Sequence, residues 1–188
     1  MIRIGILGDI GSGKSYVANE FGYPVFNADK EVSELYKKDI TIYNKLKKAL
    51  PKYIHAFPID KKEISNAILS NKNNLKKIIK IVHLEIRKKL NIFLKKNKKK
   101  KFVILDIPIL LENKINQKKD ILIFIQSKKD DIYKRLKKRD NFNQKILNLF
   151  KSIQYSLNYK KKKSKFIIKN NFTKKAVKKE IKKILKKI

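Results

Sequence analysis

Eight consecutive residues, Gly8-Asp9-Ile10-Gly11-Ser12-Gly13-Lys14-Ser15, carry the densest chemistry in the chain. They fill the pattern G-x-x-x-x-G-K-[ST], and they stand after an apolar run, Ile2 to Leu7, and before a helical pattern, which is the context this motif requires. Backbone N–H groups of such a loop wrap a triphosphate only where side chains do not intrude. Hence glycine at Gly8 and Gly13, with Gly11 adding freedom, Ser12 inside the wrap, and a helix N-terminus adding favourable partial charge. Lys14 is placed to reach the β and γ phosphates and Ser15 to offer its hydroxyl to Mg²⁺, so the pattern predicts ATP and Mg²⁺.

Acidic and basic residues at other element ends are candidates to complete a site. Asp29 follows a short apolar run and lies at the edge where the phosphate loop is expected; it reads either as a base for an attacking hydroxyl or as the N-cap of the next helix. Asp106 ends another apolar run, where a carboxylate reaches magnesium through water or caps a strand end before Pro108. Glu112 reads equally well as a solvent-facing helix residue.

The basic candidates are scarce by type. The chain has 50 Lys and Arg, of which 46 are lysine and four arginine. Where lysine is used almost everywhere, an arginine marks a place suited to a planar fork for phosphate oxygens. Arg135 and Arg139 are four apart on a helix whose inner face is Ile132 and Leu136, so they are expected to point together, toward phosphates or into solvent. His83 and Arg87 form a similar pair, open between a site role and a structural one; His55 is given none.

These residues need a scaffold. Five short apolar runs read as strands covered on both faces: Ile2 to Leu7, Pro24 to Phe26, Phe102 to Leu105, Ile121 to Ile125 and Phe166 to Ile168. Their alternation with helical patterns predicts an α/β fold with a largely parallel five-stranded sheet. Between the second and third strands runs a lysine-rich helical stretch broken at Pro51 and Pro58. Within it Leu75, Ile79, Val82, Ile86, Leu90 and Phe93 make one buried stripe. Ser127 and Asp130 read as a capping box, and Val177, Ile181, Ile184 and Ile188 as the inner face of a last helix. The Lys95 to Lys101 and Lys160 to Lys163 runs read as solvated connections.

A chain of 188 residues with 42% hydrophobic content supports one core and excludes wholesale disorder. The net charge of +34 is spread over nearly every helical stretch, so it reads as a solvated surface and not as a nucleic-acid stripe. With no cysteine there is no disulfide or thiolate chemistry. No signal-peptide pattern and no apolar run of about 20 residues is present, so the expectation is a soluble, cytoplasmic protein without a membrane partner.

In order and spacing these residues resemble the dephospho-coenzyme A kinase family of P-loop kinases. The loop Gly8 to Ser15 resembles its phosphate loop, Ala28-Asp29 its acidic dipeptide, and His83-Leu84-Glu85-Ile86 its His-Pro-x-Ile segment. Pro108-Ile109-Leu110-Leu111-Glu112 is similar to its Pro-Leu-Leu-x-Glu stretch, Arg135 with Arg139-Asp140 to its flap motif, and Gln154 and Asn170 to its late Gln and Asn. Leu84 stands where the family has proline, Phe150 where it has arginine, and Asn27 where it commonly has aspartate.

The resemblance implies ATP-dependent phosphorylation of the 3′-hydroxyl of dephospho-coenzyme A, the last step of coenzyme A biosynthesis. It implies Asp29 as base and Lys14 and Arg139 at the phosphoryl group. Gly8, Gly11, Ser12, Gly13, Lys14, Ser15, Arg135 and Asn170 would hold the nucleotide, and Ser15 and Asp106 the metal. Asp29, His83, Arg87, Pro108 and Leu110 would meet the acceptor. One kinase domain over 1–188 follows, with a core at about 1–29, 101–127 and 164–188, a helical acceptor-binding insert at about 30–100 and a lid at about 128–163; a monomer is favoured. The alternatives are another small P-loop kinase acting on a nucleoside, nucleotide or small metabolite, and a nucleic-acid-binding ATPase.

Overall fold

The computed structural model describes residues 1–139 and 142–188. Five strands, β1 (Ile2–Gly8), β2 (Val25–Asn27), β3 (Phe102–Asp106), β4 (Ile121–Gln126) and β5 (Phe166–Lys169), form one sheet in the order β2-β3-β1-β4-β5. Every pairing is parallel, as in Ile4 beside Ile104 and Leu7 beside Phe124. All five carboxyl ends therefore lie along one edge, where open α/β sheets bind ligands.

Alternation along the strands sorts the core into two layers. Ile4, Ile6, Ile104, Ile123 and Ile125 face one side, with α1 (Lys14–Glu20) and α9 (Lys174–Leu185). Leu7, Leu105, Leu122 and Phe124 face the other, beneath α2 (Ala28–Lys38), α3 (Ile40–Ala49), α4 (Lys61–Ser70) and α5 (Lys72–Lys96). The central strands are buried on both faces as expected. The edge strand β5 is buried on one face only: Ile168 packs into the α9 layer, whereas Ile167 on the opposite face is 39% exposed.

The predicted stripe of the long helix is realised in α5, with Leu75, Val82, Ile86 and Leu90 buried and Ile79 and Phe93 partly so. After β4 come α6 (Lys129–Lys137), α7 (Gln144–Ser152) and α8 (Leu157–Lys163). Two local readings need correction here. The α6 N-cap is Lys128, without a side-chain cap bond, and Ser127 donates its hydroxyl to Ser12 O at 3.0 Å, so a tertiary partner displaces the expected capping box. The run Lys160 to Lys163 is helical and not wholly solvated, since Lys160 is 1% exposed. No helix among the described residues is long and apolar enough to cross a membrane.

Candidate active site

The phosphate loop leaves the carboxyl end of β1 and is fixed from three sides. A Cβ on Gly8 would lie 2.7 Å from Ile125 O, one on Gly11 2.9 Å from the Leu136 side chain, and one on Gly13 2.5 Å from Asn170 Nδ2. With φ of 149°, 87° and 85°, all three hold backbone conformations that side-chain-bearing residues avoid. The glycines thus serve the loop's own protein walls. Asn170, 3% exposed, donates its amide to Ser12 O at 2.9 Å and accepts from Phe172 N at 2.9 Å, so it braces the loop from behind and does not face its interior as a direct ligand would.

Lys14 folds its ammonium into the loop, donating to Asp9 O at 2.7 Å and Gly8 O at 3.4 Å. Burial pushes its pKa down to about 8, with Asp106 opposing that shift and the charge of Lys160 adding to it. Asp106, 3% exposed, accepts from Asn27 Nδ2 at 2.6 Å and from the Ser15 hydroxyl. Burial holds Asp106 above the ordinary carboxylate range against those two bonds and Lys14.

A hydroxyl and a buried carboxylate in contact are the hard oxygen donors that suit Mg²⁺. Among the described residues no cluster of three or more His, Cys, Asp or Glu exists that would hold a metal alone, so phosphate oxygens and water would complete the shell. Bound there, the ion would supply charge neutralisation at the β and γ oxygens.

Asp29 is not the cap of α2. That cap is Asn27, whose Oδ1 accepts from Lys30 N at 2.8 Å, which leaves the Asp29 carboxylate free at the first turn. Water reaches Asp29 in the mouth of a cleft of about 440 Å³. The surrounding wall still removes enough of that water to raise its pKa; Asp106 adds to the rise, while Lys14 and Arg139 oppose it. The cleft is lined by the polar residues Asp29, His83 and Arg139 together with Pro108 and the apolar Ile64, Ile68 and Leu75. From α7 it takes Ile146, Leu147 and Phe150, the last being the residue in the expected arginine position.

A family model described as dephospho-CoA kinase matches residues 2–176. The chain belongs to the dephospho-CoA kinase family. A dephospho-CoA kinase of Wolbachia pipientis wMel is 36% identical over 97% of this chain and 95% of the relative. A Thermus thermophilus protein called TT1252 superposes with TM-score 0.76 at 23% identity, covering 100% of this chain and 97% of that one. A dephospho-CoA kinase from Campylobacter jejuni gives 0.63 at 23% identity over 98% and 96%. Membership in the dephospho-CoA kinase family makes this an ATP-dependent, Mg²⁺-using phosphotransferase of coenzyme A biosynthesis.

Within that dephospho-CoA kinase framework the expected residues separate into groups. Asp29, His83, Pro108 and Arg139 line one cleft. Arg87 does not line it; it donates Nε to His83 Nε2 at 3.3 Å and an NH₂ group to Asn113 O at 2.7 Å, holding His83 from outside. Burial, then the Arg87 charge, lowers the His83 pKa below its ordinary value, which favours the neutral ring that accepts from Arg87. Leu110 is fully buried under Gly5, a second-layer packing position and not a cleft wall.

The two arginines of the flap do not converge. Arg135 stacks on Phe172, 4.3 Å from its ring centroid, whereas Arg139 lies past the end of α6 and turns into the cleft. Asp140 of that motif lies outside the described residues. The fourth arginine, Arg3, is structural, paired with Asp120 at 3.1 Å and donating to Ile115 O at 3.0 Å.

Sequence reasoning missed one charge cluster. Glu112 is not solvent-facing: its side chain is 9% exposed, pairs with Lys160 at 3.0 Å and accepts from Tyr155 N at 2.8 Å. The one available signal was Glu112 itself, standing in the family-like stretch after β3; nothing in the run Lys160 to Lys163 marks Lys160 as the buried member.

Proposed function

We propose that the chain catalyses in-line transfer of the γ-phosphoryl group of ATP to the 3′-hydroxyl of the dephospho-CoA ribose, with Asp29 as general base. The observation carrying this reading is the position of Asp29, which shares its surroundings with Lys14 and Asp106 on one side and with Arg139 and the acceptor cleft on the other. The 3′-oxygen forms the new bond to the γ-phosphorus as its proton passes to the Asp29 carboxylate. The bond to the β–γ bridging oxygen breaks, and ADP leaves. Lys14 and the loop N–H groups hold the β and γ oxygens, and Arg139 neutralises charge at the transferring group.

In this reading His83, steadied by Arg87, and Pro108 orient the acceptor, while Leu110 supports the wall behind them. Arg135, on Phe172, serves the nucleotide side. Residues 30–100 are the acceptor-binding insert and 128–163 the lid of one kinase domain. The protein acts as a cytoplasmic monomer, and its lysine charge is a solvated surface without a nucleic-acid partner, because lysines are scattered over all the helices.

Asp29→Asn tests the assignment. It keeps shape and removes the base, so kcat falls about 10²- to 10⁴-fold while the KM for ATP stays within about twofold. Unchanged turnover would sink it.

A further inference from the structure

Gln154 lines the cleft and Lys160 is buried against it, and neither takes part in the mechanism above. Gln154 lines the cleft, as Asn113 and Phe150 do. Lys160 Nζ donates to Gln154 Oε1 at 2.6 Å and pairs with Glu112 Oε1 at 3.0 Å, with the lysine 1% exposed. Glu112 also accepts from Tyr155 N at 2.8 Å, so the residue after Gln154 is tied down as well.

An ammonium has donors only, so the amide atom facing it must be the oxygen. That settles an orientation that an isolated glutamine side chain leaves free. Among the described residues no protein group engages the Gln154 Nε2, and it belongs to the residue's cleft-lining side chain.

We propose that Gln154 is a specificity-determining hydrogen-bond donor to the acceptor substrate, and that Lys160, held by Glu112, is the positioning residue that fixes the amide in its donating sense. The partner on the substrate is an acceptor atom, of the kind an adenine ring nitrogen or a phosphate oxygen provides. The inference rests on the reading of the cleft as the acceptor site. It gives the buried ion pair a role beyond stability, consistent with the weak net stabilisation that such pairs usually provide.

The test is steady-state kinetics with both substrates varied, alongside thermal melts. Gln154→Glu keeps an oxygen for Lys160 but replaces the donor with an acceptor. The KM for dephospho-CoA should rise about tenfold or more, with the KM for ATP and the melting temperature unchanged. Gln154→Met, which lacks the donor, should do the same.

Lys160→Arg should retain the wild-type acceptor KM. The double variant Glu112→Gln with Lys160→Met leaves no buried unpaired charge, and it should still show the raised acceptor KM because the amide is free to flip. If Gln154→Glu and Gln154→Met leave the acceptor KM within about twofold, or raise both KM values equally, the proposal is overturned. Val32→Trp, which fills the cleft, separates the two levels of the argument. Loss of acceptor binding in Val32→Trp together with normal binding in Gln154→Glu overturns the Gln154 assignment alone, whereas normal binding in Val32→Trp overturns the cleft reading with it.

Discussion

Asp29 and Asp106 crowd two carboxylates beside one ammonium, and this sets the pH behaviour of the site. Burial first, and Asp106 second, raise the Asp29 pKa above its ordinary value of 3.8. A general base works ionised, so kcat/KM should fall as pH drops through the raised Asp29 pKa, which places the acid limb above the range of an ordinary aspartate. A pH–rate profile checks this, and an acid limb at or below 3.8 would contradict it.

The same shift has a cost in stability. Below the unfolded-state pKa both states carry the proton and nothing is lost; as pH rises past the folded-state value the folded protein bears the poorly solvated charge. Asp29→Asn should therefore raise the melting temperature at pH 7 while lowering activity, and a melt of the two proteins side by side measures it. At this scale the phosphate loop was legible from its residues alone. The role of Asn27 was not, because one side chain both caps α2 and donates to Asp106, a partner on another strand.

At the scale of elements, α6 is the wall of the phosphate loop. Ile132 and Leu136 close on Gly11 and join Leu147, Ile10 and Phe142 in a small separate cluster. Leu136→Ala should destabilise the fold by about 2–5 kcal/mol and raise the KM for ATP, measured by denaturant unfolding and kinetics. A stable variant with unchanged KM would show that the wall is dispensable.

The apolar periodicities were readable because burial on both faces of a strand or along one helical stripe leaves a regular pattern. What failed were inferences from local spacing. Ser127 reaches the phosphate loop in place of its own helix, and α6 ends at Lys137, so Arg139 escapes the four-residue spacing that would have aligned it with Arg135. Lys160 looked solvated because its partner, Glu112, is remote in sequence and only the fold brings the two together.

For the whole molecule, the net charge of +34 is the dominant long-range term. Self-repulsion of like charges destabilises the compact state and is screened within about 8 Å at 0.15 M salt. The melting temperature should climb as sodium chloride is raised from low concentration toward 0.3 M, and a flat or falling curve would mean that the lysines are locally compensated. Most salt bridges among the described residues join an exposed lysine to a partly exposed carboxylate, such as Lys38 with Glu34, and offset little of this charge.

The sheet turns all five strand ends to one edge and sets the phosphate loop beside the cleft. In the proposed reaction one phosphoryl group moves from a nucleotide on that loop to an acceptor in that cleft. Purified protein incubated with Mg-ATP and dephospho-CoA, with the products followed by mass spectrometry, tests it most directly. The expected result is a product heavier by one phosphate, located on the ribose 3′-hydroxyl, with ADP formed in equal amount. ATP consumed without that product, or phosphate found on adenosine or a shorter pantetheine acceptor instead, would contradict it.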